Sequence, residues 1–326
     1  MIINQTIAIS IIFDSSYIEP ALVSAYSILN ANIITIHKVH LIFLHDNSDE
    51  DVQASIIIST FVNKFDEGNL ISIIAVKNSL PKFNKFHFSN AIIYKALIPS
   101  IIQHEKYIIN LDAGILIGKK FAGYLQDVII ACINTENSNW IIGAISGPPP
   151  KEYMPDELKD LPSNRIYPAG AIILFNGEAF KINKFYERYV GNYLNLVSKL
   201  KYAEQELMCL TLLEGELIVL PDSNEMIYHH LSLDAMSDAD LWYNETIVEN
   251  CICFKIFGSL KPWHYCVLDP NKIVWLLARA GLESIMPLGI YPLIEKNRNF
   301  ILHPDFVSAF QRKYEILLLS RFAMKY

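Results

Sequence analysis

Residues 107–117, Tyr-Ile-Ile-Asn-Leu-Asp-Ala-Gly-Ile-Leu-Ile, constrain the fold of this chain more than any other stretch. The run before Asp112 is apolar and β-branched, the composition of a strand covered on both faces. Such strands belong to sheets sandwiched between helices. Asp112 then stands at the carboxyl end of the strand, the edge at which open α/β sheets bind their ligands. A buried strand followed by a polar turn accounts for the same residues equally well, so the rest of the chain has to decide between the two.

The N-terminal half alternates between two hydrophobic periods. Residues 6–13 form a short β-branched run, and 18–29 carry helical spacing with Pro20 in a first turn. Residues 39–44 read as a second strand, 51–65 as a helix behind a polar turn, and 70–76 as a third strand. A helix over 91–102 leads into the strand before Asp112. This βαβα rhythm predicts an α/β fold with a mainly parallel, doubly wound sheet. Further on, 140–146 reads as a buried strand and 147–168 as an irregular excursion rich in proline and charge. Residues 167–176 read as a small-residue turn entering a strand, where Gly170 permits close approach of a ligand or backbone. Helices are expected from about 178 to 200, from 203, over 272–280 and over 304–325.

Composition narrows the function classes. The chain has 326 residues, 52% of them hydrophobic and 19% charged, which supports a large core and excludes disorder. A net charge of -7 speaks against a nucleic-acid binder. Residues 1–13 lack a basic region before Asp14 interrupts them, unlike a signal peptide, and no apolar run reaches the length of a membrane span. The five cysteines are odd in number and lack zinc-type spacing, as expected of reduced thiols in a cytoplasmic protein. There is no Gly-x-Gly-x-x-Gly after the first strand and no Gly-x-x-x-x-Gly-Lys loop, so a bound nucleotide has to be held by side chains.

Candidate side chains sit where such a ligand would lie. Asp14 and Tyr17 follow the first strand. They suit a base N–H and a base face, or else a helix cap and a core ring. His87 and Lys95 flank the helix at 91. Lys95 either reaches a phosphate or is an exposed helix lysine. Glu204, Gln205 and Glu206 open a helix, where carboxylates also suit the macrodipole. Lys255, Gly258, Lys261, Trp263 and His264 fall within ten residues. Two cations and a glycine in that span suit a phosphate.

The order of these segments resembles the family 8 glycosyltransferases, retaining enzymes that use nucleotide sugars and include bacterial lipopolysaccharide galactosyl- and glucosyltransferases and glycogenin. Phe13-Asp14-Ser15-Ser16-Tyr17 resembles the family's Asp-Asp-Asn-Tyr turn, and Ile93-Tyr94-Lys95 its Tyr-x-Arg. Leu111-Asp112-Ala113-Gly114 stands in place of Leu-Asp-Ala-Asp. Lys255-x-x-Gly258-x-x-Lys261-Pro262-Trp263 stands in place of His-x-x-Gly-x-x-Lys-Pro-Trp, and Glu204-Gln205-Glu206 resembles Asp-Gln-Asp.

The resemblance implies a GT-A type, Rossmann-like nucleotide-sugar-binding domain over residues 1–268, with a helical C-terminal appendage over 269–326. It implies hexose transfer from a UDP-sugar to a saccharide or glycolipid acceptor. The expected donor contacts are Asp14, Tyr17, Lys95, Asp112, Lys255, Gly258 and Lys261. Glu204, Gln205 and Asp112 are expected to be catalytic, and His87 to touch the acceptor. Relatives hold Mn2+ or Mg2+ through both aspartates and the histidine. Here Gly114 and Lys255 replace two of those ligands, so a metal-independent site is expected, with the Lys255 ammonium offsetting diphosphate charge. The runner-up is a degenerate member that binds a sugar nucleotide or glycan without transfer; a third reading is a structural α/β protein. The basic and aromatic residues of 304–325 suit an anionic membrane surface, packing on the domain, or contact with a second subunit in a homodimer.

Overall fold

A computed structural model describes residues 7–31, 33, 36–66, 68, 70–83, 90–133, 139–147, 167–200, 204–230, 250–257 and, beyond these, 275, 278–279, 281–282 and 286. The excursion at 148–166, His87, Gly258, Lys261 and the helix expected at 304–325 lie outside the described residues.

The large sheet has seven strands in the order β3-β2-β1-β4-β7-β6-β8. They are β1 (Ile7–Phe13), β2 (Ile36–His45), β3 (Ile71–Lys77), β4 (Tyr107–Leu111), β6 (Ile142–Gly147), β7 (Tyr167–Asn176) and β8 (Leu217–Val219). Strands β1 to β4 pair in parallel and so do β6 and β8, while β7 runs antiparallel to both β4 and β6. The sheet is therefore mainly parallel, as the alternation predicts. A smaller sheet has the order β5-β10-β9, with β5 (Leu116–Ile117), β9 (Met226–His230) and β10 (Cys253–Phe257).

Both faces of the large sheet are covered, which is why its central strands are mostly apolar; the buried exceptions, Ser10 and Asn110, meet each other, Ser10 Oγ donating to Asn110 Oδ1 at 3.4 Å. Every residue of β1 is buried. One face, with Ile9, Ile11, Ile109 and Leu111, packs on helices α1 (Ile18–Asn30), α2 (Asp49–Phe65) and α5 (Phe121–Ile133). The other, with Ile12, Ile42, Ile108 and Ile173, packs on α3 (Ala91–Tyr94), α4 (Ile98–Ile101), α6 (Gly177–Ile182), α7 (Phe185–Leu196) and α8 (Glu204–Thr211). Fully burying one such Ile or Leu is worth about 1.5–3 kcal/mol. Trp275, Leu282 and Met286 lie in the same cluster as α1, and Arg279 pairs with Glu19 on that helix.

Three local expectations need correction. The helix expected over 91–102 is two short α-helices joined by a 3-10 turn at Lys95–Leu97, with Pro99 opening the second. The helix expected over 178–200 breaks at Lys184, whose φ of 50° ends α6 and starts α7. Tyr167 to Gly170 is strand rather than turn: β7 absorbs Gly170 in a register shift opposite Ala144 and Ile145, while Pro168 stays in register with Ser146.

Helix α2 has a complete capping box. Ser48 Oγ accepts from Asp51 N at 3.2 Å, and Asp51 Oδ2 accepts from Ser48 N and Asp46 N at 2.9 Å each. Burial pushes the Asp51 carboxyl up, but these hydrogen bonds outweigh it and hold its pKa below the usual value.

Candidate active site

The chain leaves β1 toward β2 and β3, then returns to lay β4 on β1's other side. The carboxyl ends of β1 and β4 thus flank a topological switch point, the crevice where such sheets bind ligands. Asp14 follows β1 and Asp112 follows β4 at this edge. Because β7 is antiparallel to β4, its first residues reach the same edge: Asp112 N donates to Ala171 O at 3.1 Å. The turn from Asp112 to Ile115 then carries the chain into β5, which pairs with β10 through Leu116 and Phe254. Lys255, the next residue of β10, is thereby brought over Asp112.

Four charged side chains and one carbonyl interlock here. Lys95 Nζ donates to Asp112 Oδ1, to Gly170 O at 3.2 Å and to Glu204 Oε1 at 3.2 Å. Lys255 Nζ donates to Asp112 Oδ2. Each oxygen of Asp112 therefore carries its own lysine. Lys95 and Glu204 are buried, with side chains 7% and 4% exposed, whereas Lys255 and Asp112 are 13% and 19% exposed. The cluster has a closed inner pair and a more open outer pair.

Burial raises the Glu204 pKa above its ordinary value; attraction to Lys95 and hydrogen bonds pull the other way and do not cancel it. Glu204 Oε2 is buried and has no hydrogen-bond partner among the described residues. Such an oxygen is costly unless something donates to it, and a substrate hydroxyl is suited to do so. Gly170 is where the close approach occurs: a Cβ there would lie 2.7 Å from Glu204 Oε1, 3.5 Å from Lys95 Nζ and 3.6 Å from Gln205 Nε2. The group that needs the space is Glu204, a side chain of the protein itself.

Asp14 caps the 3-10 turn Ser15–Tyr17, its Oδ1 accepting from Ser16 N at 3.1 Å and Ser16 Oγ at 2.6 Å. Tyr17 is half-buried. Its pKa is pushed up to about 12 by burial and by Asp14, against a smaller opposing effect of Lys95. Tyr17 thus belongs to the same electrostatic site as the lysine cluster. Tyr94 serves the scaffold instead. Its hydroxyl accepts from Ser79 N at 2.6 Å and Leu80 N at 2.9 Å, holding the segment after β3.

Asp14, Tyr17, Lys95, Asp112, Glu204, Gln205 and Lys255 are therefore all at one edge of the fold. Lys95 is not an exposed helix lysine. The partners of Lys95 were not legible in the sequence, nor was the seat of Gly114. That residue has a φ of 93°, and its N–H faces Pro20 O at 3.2 Å and Ser24 Oγ at 2.8 Å on α1.

No family model matches this sequence, and no curated protein does. Solved structures do match. The galactosyltransferase LgtC in complex with donor and acceptor sugar analogs superposes with a TM-score of 0.59 at 14% identity, covering 84% of this chain and 95% of that one. The fold is that of GT-A glycosyltransferases. The bifunctional glycosyltransferase WbbM gives 0.56 at 15% identity over 91% of this chain and 52% of its own. GlyE of Streptococcus pneumoniae TIGR4 gives 0.51 at 12% over 84% and 60%.

Asp112, Gly114 and Lys255 occupy the positions at which the family resemblance implies ligands to a divalent ion. Both oxygens of Asp112 are engaged by ammonium groups, Gly114 has no side chain, and Lys255 brings a positive charge to the same point. No group of three or more His, Cys, Asp or Glu suited to a metal occurs among the described residues. These residues do not fit a hard cation, which needs several oxygen ligands and would be repelled by Lys255.

Proposed function

We propose that this protein is a retaining glycosyltransferase that moves a hexose from a UDP-sugar to a saccharide acceptor, such as a cell-surface glycan or glycolipid, without a divalent metal. The observation that carries this reading is the convergence of Glu204 and Gln205 with Asp112 and two lysines at the switch point of a GT-A fold. Asp14 and Tyr17 take the base. Lys255 takes the diphosphate, aided by Gly258 and Lys261, which follow it in the sequence. Glu204 accepts a hydroxyl of the sugar. It and Gln205 favour the positive charge that develops at the anomeric carbon as its bond to the diphosphate breaks. A Gln amide is a weak nucleophile, so no covalent intermediate is invoked: the acceptor hydroxyl attacks the anomeric carbon from the face the diphosphate leaves, which keeps the configuration, and its proton passes to the departing diphosphate oxygen. His87 is assigned to the acceptor. We assign the catalytic unit to 1–268 and a helical extension to 269–326, in the cytoplasm, with peripheral contact at the inner membrane surface through 304–325 as the second option. No described helix is long and apolar enough to cross one.

The test is a calorimetric and thermal-shift screen of nucleotide sugars with and without EDTA. Transfer to glycan acceptors and the product's anomeric configuration would be read by mass spectrometry and NMR. UDP-sugars should bind equally with EDTA present, and Tyr17→Ala should weaken UDP by about 1–3 kcal/mol. If no nucleotide sugar binds, the reading fails.

A further inference from the structure

An ammonium has three N–H donors, and those of Lys95 meet Asp112, Gly170 and Glu204. Lys95 has no donor left for a ligand without breaking this set, and it is buried. Lys255 differs. It holds the outer oxygen of Asp112, and both members of that pair reach solvent. An anion entering the switch-point crevice therefore meets Lys255 first and meets Asp112, a like charge, beside it.

We propose that Asp112 is a built-in competitor for the ligand's phosphates: it holds Lys255 when the site is empty and yields it to an incoming diphosphate, while Lys95 stays locked between Asp112 and Glu204. This rests on the proposed use of a nucleoside diphosphate sugar and deepens it. The arrangement supplies both halves of a turnover cycle. In the empty site Asp112 keeps a half-buried ammonium paired, which removes the cost of leaving it bare. With the diphosphate bound, the same carboxylate is left close to phosphate oxygens. Like charges about 4 Å apart repel enough to shift an equilibrium constant by roughly fivefold in water, and by more in a half-buried site. Asp112 thereby speeds release of the nucleoside diphosphate product.

The experiment measures UDP and inorganic pyrophosphate binding by calorimetry, and UDP dissociation by stopped flow, in the wild type and in Asp112→Asn. The substitution keeps an oxygen for Lys95 and removes the charge. Affinity for both probes should rise about fivefold or more, and UDP dissociation should slow by a similar factor. Weaker binding by Asp112→Asn, as a metal ligand or a direct donor contact would give, overturns the proposal while leaving the donor assignment standing. Failure of the wild type to bind either probe removes the donor assignment and the proposal together. A second measurement needs no change at Asp112. In protein with labelled lysine ammonium groups, assigned through Lys255→Arg and Lys95→Arg, UDP should move the Lys255 signal and leave that of Lys95 in place. Movement of Lys95 with Lys255 unchanged would refute the exchange.

Discussion

Helices α2 and α8 both begin on acidic residues, Asp49, Glu50 and Asp51 in one and Glu204 and Glu206 in the other. In α2 the carboxylate of Asp51 turns back to its own helix end and collects backbone N–H donors, so its charge is welcome and its pKa falls. In α8 the carboxylate of Glu204 is buried and faces one lysine, and its pKa rises. Both patterns fit a helix dipole when read as sequence. What separates them is where the helix starts: α2 beside a turn, α8 against the switch point of the sheet. A carboxylate whose environment disfavours its charge is a candidate for chemistry, whereas one whose hydrogen bonds are complete serves stability.

The largest effect that would test this contrast is on turnover. Glu204→Gln should reduce sugar transfer by about 10²–10³-fold with UDP binding nearly intact, because the charge acts on the transition state. A variant with wild-type turnover would return Glu204 to the role of a helix-start acid. Gly170→Ala comes next. The new Cβ displaces the tip of Glu204, not backbone, so the protein should fold, at a cost of about 1–3 kcal/mol. Turnover should drop about tenfold through misplacement of Glu204. An active, unshifted Gly170→Ala enzyme would show that this contact is slack.

On the other helix, Ser48→Ala should cost about 1 kcal/mol of stability in urea unfolding and leave UDP affinity unchanged. A change in affinity would mean that α2's start belongs to the site. The smallest effect is the pH dependence, and the two carboxylates should give it opposite signs. Asp51 has a depressed folded pKa, so its contribution is present above its ordinary value of 3.8 and lost as pH falls through the folded value. Asp51→Asn should therefore destabilise at neutral pH and converge with wild type in acid. Glu204 has a raised folded pKa, so its contribution is present below 4.5 and lost as pH rises through the folded value. Glu204→Gln should be more stable than wild type at neutral pH and equal to it in acid. Parallel curves for the two variants, measured by thermal unfolding, would dissolve the distinction.

Much of this architecture was legible because it rests on local period. The strands before Asp14 and Asp112 announce themselves by largely β-branched runs, whereas the pairing of β4 with β1, which creates the switch point, carries no local signal. The break at Lys184 was not legible, since a lysine in a left-handed conformation leaves no mark such as glycine or proline in an otherwise periodic stretch. The turn at Lys95 leaves one nearby, Pro99, which suits the first turn of the second short helix. In the site, residue types were readable one by one, but the bonds among them were not. Lys95 reaches partners 75 and 109 residues away, and only the antiparallel return of β7 and the docking of α8 bring these within reach.

Gly114 limits what the site can become by substitution. Its φ of 93° and its two acceptors on α1 mean that the turn after Asp112 is now built around a residue without a side chain. A mutation to aspartate there would meet a backbone conformation costing an L-residue about 1–2 kcal/mol. The turn after Asp112 therefore admits glycine and resists any residue that carries a Cβ, so position 114 is fixed by backbone geometry before any chemistry is asked of it.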